Sequence, residues 1–346
     1  MIKVGIIGAT GYTGIELLRL LKFHPQVEVT CITSTSQQGE EISQVHPHFQ
    51  RIYNLKLEDF NLDRIVQNAD IIFCALPHGL ALERVPELLE RGKKVIDLSA
   101  DFRLKDPRDY SKWYQYDHPR QDLLEKSVYG LPELRRDEIR EADLVANPGC
   151  YPTSILLAMK PLLEMDLIEP DSIVVDSKSG VSGAGRGAKL PFHFTECTEN
   201  FKAYRVANHQ HTPEIEQELG YMAKDTVTIT FTPHLVPMIR GILSTLYASL
   251  KEGVGAEEIK EALFKTYGEE LFIRLREKPH LPETKFVYGT NFCDLGFTID
   301  ERTGRVVVIS AIDNLVKGAA GQAVQNMNLL QGWSEETGLV QPVVYP

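Results

Sequence analysis

The first fourteen residues restrict the fold more than any other stretch of the chain. Ile2-Lys3-Val4-Gly5-Ile6-Ile7 is a short apolar run that passes directly into Gly8-Ala9-Thr10-Gly11-Tyr12-Thr13-Gly14. Gly14 to Phe23 is helical in pattern, and Val27 to Thr33 is a second strand-like run. A buried strand, a glycine-rich turn and a helix in that order begin a parallel sheet covered by helices on both faces. Glycine at such a turn lets backbone N–H groups approach a pyrophosphate, and the helix N-terminus adds favourable partial charge. The spacing is Gly-x-x-Gly-x-x-Gly rather than Gly-x-Gly-x-x-Gly, so the dinucleotide expectation rests on the motif's position between strand and helix as well as on its glycines. Gly8, Thr10, Gly11, Tyr12, Thr13 and Gly14 are the candidate cofactor residues.

The alternation continues through Asp70–Ala75, the helical Ala81–Arg91, Lys94–Leu98 and Asp143–Ala146. After Pro148 the texture changes to β-branched runs at Ser172–Ser177, Thr226–Thr232, Ile242–Leu250 and Arg305–Ala311. The second of these alternates polar and apolar residues, as a half-buried strand should. This part predicts a mixed, largely antiparallel sheet with helices on one side. Asp313–Leu330 is again helical in pattern. A chain of 346 residues suits two domains. The expected borders are 1–148 with 313–346 for the dinucleotide domain, and 149–312 for a catalytic and oligomerisation domain.

A net charge of -11 argues against nucleic acid as a partner, where a basic stripe is expected. No apolar segment has spanning length, and the N-terminus lacks a signal peptide's layout, so no membrane association and a cytoplasmic location are expected. Cys31, Cys74, Cys150, Cys197 and Cys293 are far apart, odd in number and without a Cys-x-x-Cys pair, which predicts neither a disulfide framework nor a structural metal.

The second strand ends in Thr33-Ser34-Thr35-Ser36, with no carboxylate for ribose hydroxyls. Hydroxyls accept a 2′-phosphate that a carboxylate would repel, so Ser34, Thr35 and Ser36 favour NADP(H) over NAD. Asn147-Pro148-Gly149-Cys150-Tyr151-Pro152-Thr153-Ser154 lies where a strand gives way to a helix, with Pro152 suited to a first helical turn. A cysteine there meets free N–H groups and the helix dipole, which favour its thiolate. A buried, inert thiol is the commoner fate of cysteine, and the flanking glycine and prolines favour an exposed turn instead.

These motifs together resemble the N-acetyl-γ-glutamyl-phosphate reductase family, the arginine-biosynthesis relatives of aspartate-semialdehyde dehydrogenase. The resemblance runs from end to end: the Gly8–Gly14 turn, Asp101-Phe102-Arg103-Leu104, Tyr129-Gly130-Leu131-Pro132-Glu133, Asn147–Thr153, Ser179–Arg186, His209-Gln210-His211-Thr212-Pro213-Glu214 and Asp313–Ala320. It implies a Rossmann domain with a doubly wound parallel sheet, plus an α+β domain of the semialdehyde-dehydrogenase type. It also implies reduction of an acyl phosphate to an aldehyde through a thioester on Cys150. A histidine suits the proton shuttle. His211 is the first candidate and His209 the second, with Thr212 capping a helix and Glu214 orienting the His211 ring. A His-x-His metal pair lacks further ligands nearby. His46-Pro47-His48 reads as loop. Arg103 leads the candidates for the substrate phosphate, with Arg186, Lys189, Asn147 and Ser179 as further substrate contacts. Pro77, Ser182, Gly183 and Asn314 extend the cofactor set.

Aspartate-semialdehyde dehydrogenases carry their histidine just after a glycine in a Val-Pro strand. Here Val236-Pro237-Met238-Ile239-Arg240-Gly241 is followed by Ile242, which disfavours aspartyl phosphate as substrate. A longer aminoadipyl phosphate is the closer enzymatic alternative, and a non-catalytic dinucleotide-binding regulator is the alternative of another class. The resemblance further implies release of inorganic phosphate and a homodimer or homotetramer.

Overall fold

The computed structural model describes residues 1–345. The chain divides into two compact units. The first comprises Met1–Tyr110, Asp117–Pro148 and Ala319–Gln341, and the second Ser111–Tyr116, Gly149–Gly318 and the segment from Pro342. Residues 313–318 and 111–116 thus group with the second unit.

The first unit holds seven strands: β1 (Ile2–Ile7), β2 (Val27–Thr33), β3 (Leu57–Glu58), β4 (Ile71–Cys74), β5 (Lys94–Asp97), β6 (Val128–Tyr129) and β7 (Leu144–Ala146). Their order is β3-β2-β1-β4-β5-β7-β6, and every pairing is parallel. The order turns back between β1 and β4, the switch point at which doubly wound sheets hold ligands. β4 is wholly buried, as a strand covered on both faces must be. The helices α1 (Tyr12–Leu21), α2 (Ala81–Glu90) and α3 (Pro132–Glu141) connect these strands.

The second unit opens with α4 (Cys150–Glu164), followed by β8 (Val174–Gly180), β9 (Lys202–Ala203), α5 (Thr212–Ala223), β10 (Thr230–Val236), β11 (Ile242–Ser249), α6 (Ala256–Tyr267), β12 (Ile273–Leu275), β13 (Cys293–Asp300) and β14 (Arg305–Ile312). The sheet runs β12-β13-β14-β11-β8-β10-β9. It is mixed: β8 with β10 and β12 with β13 are parallel, and the remaining pairs antiparallel. α4 packs on β11 and β14 with most of its residues buried. α7 (Gly321–Leu330) then returns to the first unit against α1 and α3. Among the described residues no helix is long and apolar enough to cross a membrane.

Three local expectations shift. Burial alternates from Val227 onward, yet the ladder begins only at Thr230, because its partner β8 begins at Val174. Asp313–Leu330 is not one helix. Asp313 Oδ1 takes the amides of Leu315 (2.8 Å) and Val316 (3.2 Å), and a π-turn over Val316–Ala320 precedes α7. Thr212 is the first residue of α5 rather than its cap; that position falls on His211, which makes no side-chain capping bond.

Candidate active site

In the first unit the sequence turns sharply after β1 because residue 8 has no side chain. Gly8 has φ +86°, and a Cβ there would lie 2.4 Å from the Ala75 carbonyl oxygen. A Cβ on Gly14 would lie 2.6 Å from the Gly8 oxygen and the Ala9 Cα, so the turn and the first turn of α1 touch through glycine. Gly11 occupies the N-cap of α1 without a side-chain cap, and Tyr12, Thr13 and Gly14 add no acid to the first turn. This arrangement suits an anion. Thr10 and Ser34 hydroxyls lie 3.2 Å apart, and Ala9 N–H donates to the Thr33 carbonyl. The ends of β1 and β2 thus meet on a hydroxyl-lined surface without a carboxylate, continued by Thr35 and Ser36. Pro77 is exposed just beyond β4, beside this turn in the sheet. The His46 ring lies 3.3 Å from the Thr10 carbonyl oxygen. The sequence had offered that histidine only as loop, since nothing local relates it to residue 10. The cradle fits a dinucleotide.

Gly8→Ala tests it. A left-handed Cβ costs about 1–2 kcal/mol, and the Ala75 backbone must also move. The variant is expected to bind NADPH at least about tenfold more weakly, equivalent to about 1.4 kcal/mol, in a fluorescence titration. Unchanged affinity would remove Gly8 from the nucleotide site.

Arg103 and Asn147 also belong to the first unit, and both are tied into it. Arg103 Nε donates to the Asn147 carbonyl (2.8 Å) and Nη2 to the Leu98 carbonyl (3.1 Å). Asn147 Nδ2 donates to the Ala319 carbonyl, and Asn326 Nδ2 donates to Asn147 Oδ1 (3.0 Å). Burial and the nearby Asp101 charge push the Asp97 carboxyl up to about 7, while Ser99 hydrogen bonds and the Arg103 charge oppose them. Arg103 therefore braces the ends of β5 and β7 and offsets a buried acid, tasks that its sequence motif does not reveal.

In the second unit Cys150 is the first residue of α4 and is partly exposed, whereas Tyr151 to Met159 behind it are buried. Its helix is fixed by polar contacts as well as packing. Ser154, one turn on, lies 2.7 Å from Ser244 Oγ on β11, which lies 2.7 Å from Ser177 Oγ on β8. The Gly149 amide, at the N-cap, donates to Glu214 Oε1 at 2.8 Å. Glu214 is fully buried, and through this bond it holds the start of the cysteine's own helix.

Tyr151 brings the histidines to this end. Its ring centroid is 5.4 Å from that of His209 and 5.9 Å from that of His211, and the two imidazoles are 4.8 Å apart. His209 Nδ1 accepts the His211 backbone N–H at 3.1 Å, and Nε2 lies 3.4 Å from Tyr204 Oη. Burial, with a smaller effect of the Arg205 charge, pushes the His209 imidazole down to about 3. His209 is therefore neutral at physiological pH. With Nδ1 accepting, its one proton sits on Nε2 and points at Tyr204. Both ring nitrogens are committed, which favours His211 as the group that exchanges protons.

Ser179, Ser182, Gly183 and Asn314 converge as well. Asn314 Nδ2 donates to Ser182 Oγ (3.0 Å), and its Oδ1 accepts the Gly241 amide (2.8 Å). A Cβ on Gly183 would lie 3.4 Å from Ser179 Oγ and 3.7 Å from Asn314 Nδ2. Arg186 and Lys189 lie on the exposed segment after β8. Tyr151 and Tyr204, which link the histidines to the cysteine's helix, were missed in sequence; only the adjacency of Tyr151 to Cys150 could have signalled them.

A doubly wound nucleotide-type sheet in one unit and, in the other, a cysteine at a helix start beside histidines are features that suit a dinucleotide-dependent dehydrogenase. The semialdehyde dehydrogenase NAD binding domain family matches residues 3–142, and the semialdehyde dehydrogenase dimerisation domain family matches 150–314. The N-acetyl-gamma-glutamyl-phosphate reductase of Pelotomaculum thermopropionicum is 58% identical over 345 residues, covering 100% of this chain and 99% of that protein. That of Desulforudis audaxviator is 54% identical, covering 100% of each. The chain belongs to the N-acetyl-gamma-glutamyl-phosphate reductase family of semialdehyde dehydrogenases. Among solved structures, aspartate semialdehyde dehydrogenase II of Vibrio cholerae shares the fold with TM-score 0.74 at 20% identity, covering 96% of this chain and 98% of that one. The aspartate semialdehyde dehydrogenase with NADP from Candida albicans has TM-score 0.70 at 15% identity, with 96% and 98% covered.

Proposed function

We propose that this chain reduces N-acetyl-γ-glutamyl phosphate to N-acetylglutamate 5-semialdehyde and inorganic phosphate, with NADPH, in arginine biosynthesis. The observation that carries the proposal is a partly exposed cysteine opening a mostly buried helix, followed by a tyrosine packed on two histidines. The Cys150 thiolate attacks the acyl carbon, the C–O bond to phosphate breaks, and an acyl thioester remains on sulfur. Backbone amides at the start of α4 favour the thiolate. Arg103, Arg186 and Lys189 are the cations assigned to the departing phosphate, and Asn147 and Ser179 complete the substrate set. The Gly8–Gly14 turn, Ser34–Ser36, Pro77, Ser182, Gly183 and Asn314 are the residues that would hold NADPH, which would supply a hydride to the thioester carbon. His211 takes the proton of the thiol at the outset and returns it as the reduced carbon gives up sulfur. Glu214 holds the N-cap of α4, and His209 stays neutral as a spacer.

The dimerisation-domain match and the face of the second sheet opposite α4 support a homodimer or homotetramer. That face carries Val174, Leu243, Tyr247, Val307 and Ile309, all partly exposed. We assign the enzyme to the cytoplasm.

Mass spectrometry after mixing the protein with the acyl phosphate and no cofactor tests the chemistry. An added acyl mass on the peptide containing Cys150 is expected, and acylation elsewhere would overturn the assignment. NADP⁺ reduction with phosphate and N-acetylglutamate semialdehyde, set against the aspartate and aminoadipate semialdehydes, tests the acyl chain.

A further inference from the structure

Three phenol and imidazole groups in the second unit form a chain of hydrogen bonds with a defined direction. His209 must carry its proton on Nε2, so it donates to Tyr204 Oη at 3.4 Å. Tyr204 donates to Tyr151 Oη at 3.1 Å, and Tyr151 donates to the His234 carbonyl at 3.4 Å. Tyr151 immediately follows the nucleophile and is 2% exposed. His209, at the other end, holds the backbone of His211 through Nδ1. Among the described residues Tyr204 is the side chain that bonds to both.

The backbone carrying Tyr204 is unusual. Glu199, Arg205 and Ala207 all have left-handed φ, at 55°, 46° and 58°, and none is glycine. Such residues persist only where the surroundings over-determine the chain, and they cluster at functional sites. Here β9 is held at the edge of β10, and the Tyr204 amide donates to the Pro233 carbonyl at 3.1 Å. The neighbouring segment is steadied independently: Tyr114 Oη donates to the Gln210 carbonyl at 3.1 Å. The strained turn thus delivers one phenol between two histidine-loop and helix partners.

We propose that Tyr204 is a positioning residue of the reaction, its hydroxyl fixing the spacing between the Cys150 end of α4 and the His209–His211 loop. It moves no proton to substrate. This rests on the thioester chemistry proposed above and deepens it. A phenylalanine at 204 keeps the ring and its packing against His209 and removes only the tie.

Tyr204→Phe is therefore expected to lower kcat by about 10- to 100-fold, the scale of a misplaced catalytic group, with KM within about twofold. The acid limb of the kcat/KM profile, which reports the shuttle, is expected to move. Tyr151→Phe breaks the same chain at the next bond. The double variant should therefore lose no more than the worse single variant, the non-additivity of groups acting as a unit. A Tyr204→Phe enzyme with kcat within twofold of the wild type, an unmoved profile, or single losses that multiply in the double variant would overturn the proposal. Cofactor-free acylation of wild-type Cys150 is measured alongside. Failure of that control overturns the thioester reading and the proposal together, whereas normal acylation with an unimpaired Tyr204→Phe enzyme overturns only the role of Tyr204.

Discussion

Cys150→Ala is expected to lower kcat by at least about 10⁴-fold, because covalent catalysis has no substitute once its nucleophile is gone. Alanine retains the Cβ that meets Gly318, so the start of α4 is preserved and only the sulfur is lost. The Gly8–Gly14 turn belongs to the other compact unit, and NADPH affinity is expected to stay within about twofold in a fluorescence titration. Residual turnover above about 1% of wild type would exclude the thioester route. Loss of nucleotide binding alongside activity would show that the substitution had disturbed more than the reacting atom.

The second large effect is steric. A Cβ on Gly318 would stand 2.8 Å from Cys150 Cβ, 3.2 Å from its Cα and 3.3 Å from Ile312 Cδ1. The two nearest atoms belong to backbone or to the first side-chain carbon, so no flexible tip can swing away. Gly318→Ala must shift either the π-turn over Val316–Ala320 or the start of α4. Overpacking of this kind costs about 1–3 kcal/mol. A displacement near 1 Å at the reacting centre costs about 10²-fold in kcat. Both a lower Tm and a kcat loss on that scale are expected, together with an altered rate of Cys150 alkylation by iodoacetamide. Wild-type kinetics in Gly318→Ala would mean that the sulfur's position tolerates this movement and that its seating on Gly318 is immaterial.

Much of this was legible in the sequence because it is local. The strand-turn-helix at Ile2–Leu21 follows from apolar run, glycines and helical period, and the helix begins and ends two residues earlier than that reading. The placement of Cys150 at a helix start followed from Gly149 and Pro152 in the same way. What escaped is what depends on partners distant in the chain. Arg103 is read in the sequence as a phosphate fork, and its motif does not reveal that Nε and Nη2 also reach the Asn147 and Leu98 carbonyls or that its charge opposes the upward shift of buried Asp97. Glu214 is read in the sequence only as a partner for His211, and nothing local announces that its carboxylate also takes the amide of Gly149, 65 residues earlier. The Tyr204 chain joins residues 151, 204, 209 and 234, and no periodicity links them. Register was partly hidden for a similar reason: the alternation at 226–232 fixed which side chains face inward, while the start of β8 fixed where pairing begins.

Both seven-stranded sheets end on very short strands: β3, β6 and β9 have two residues each and β12 has three. A long open edge is a template on which other chains can add strand after strand into fibres, and a two- or three-residue rim offers too few unpaired amides to seed that growth. The brevity of these rims thereby guards both sheets against open-ended growth from their edges.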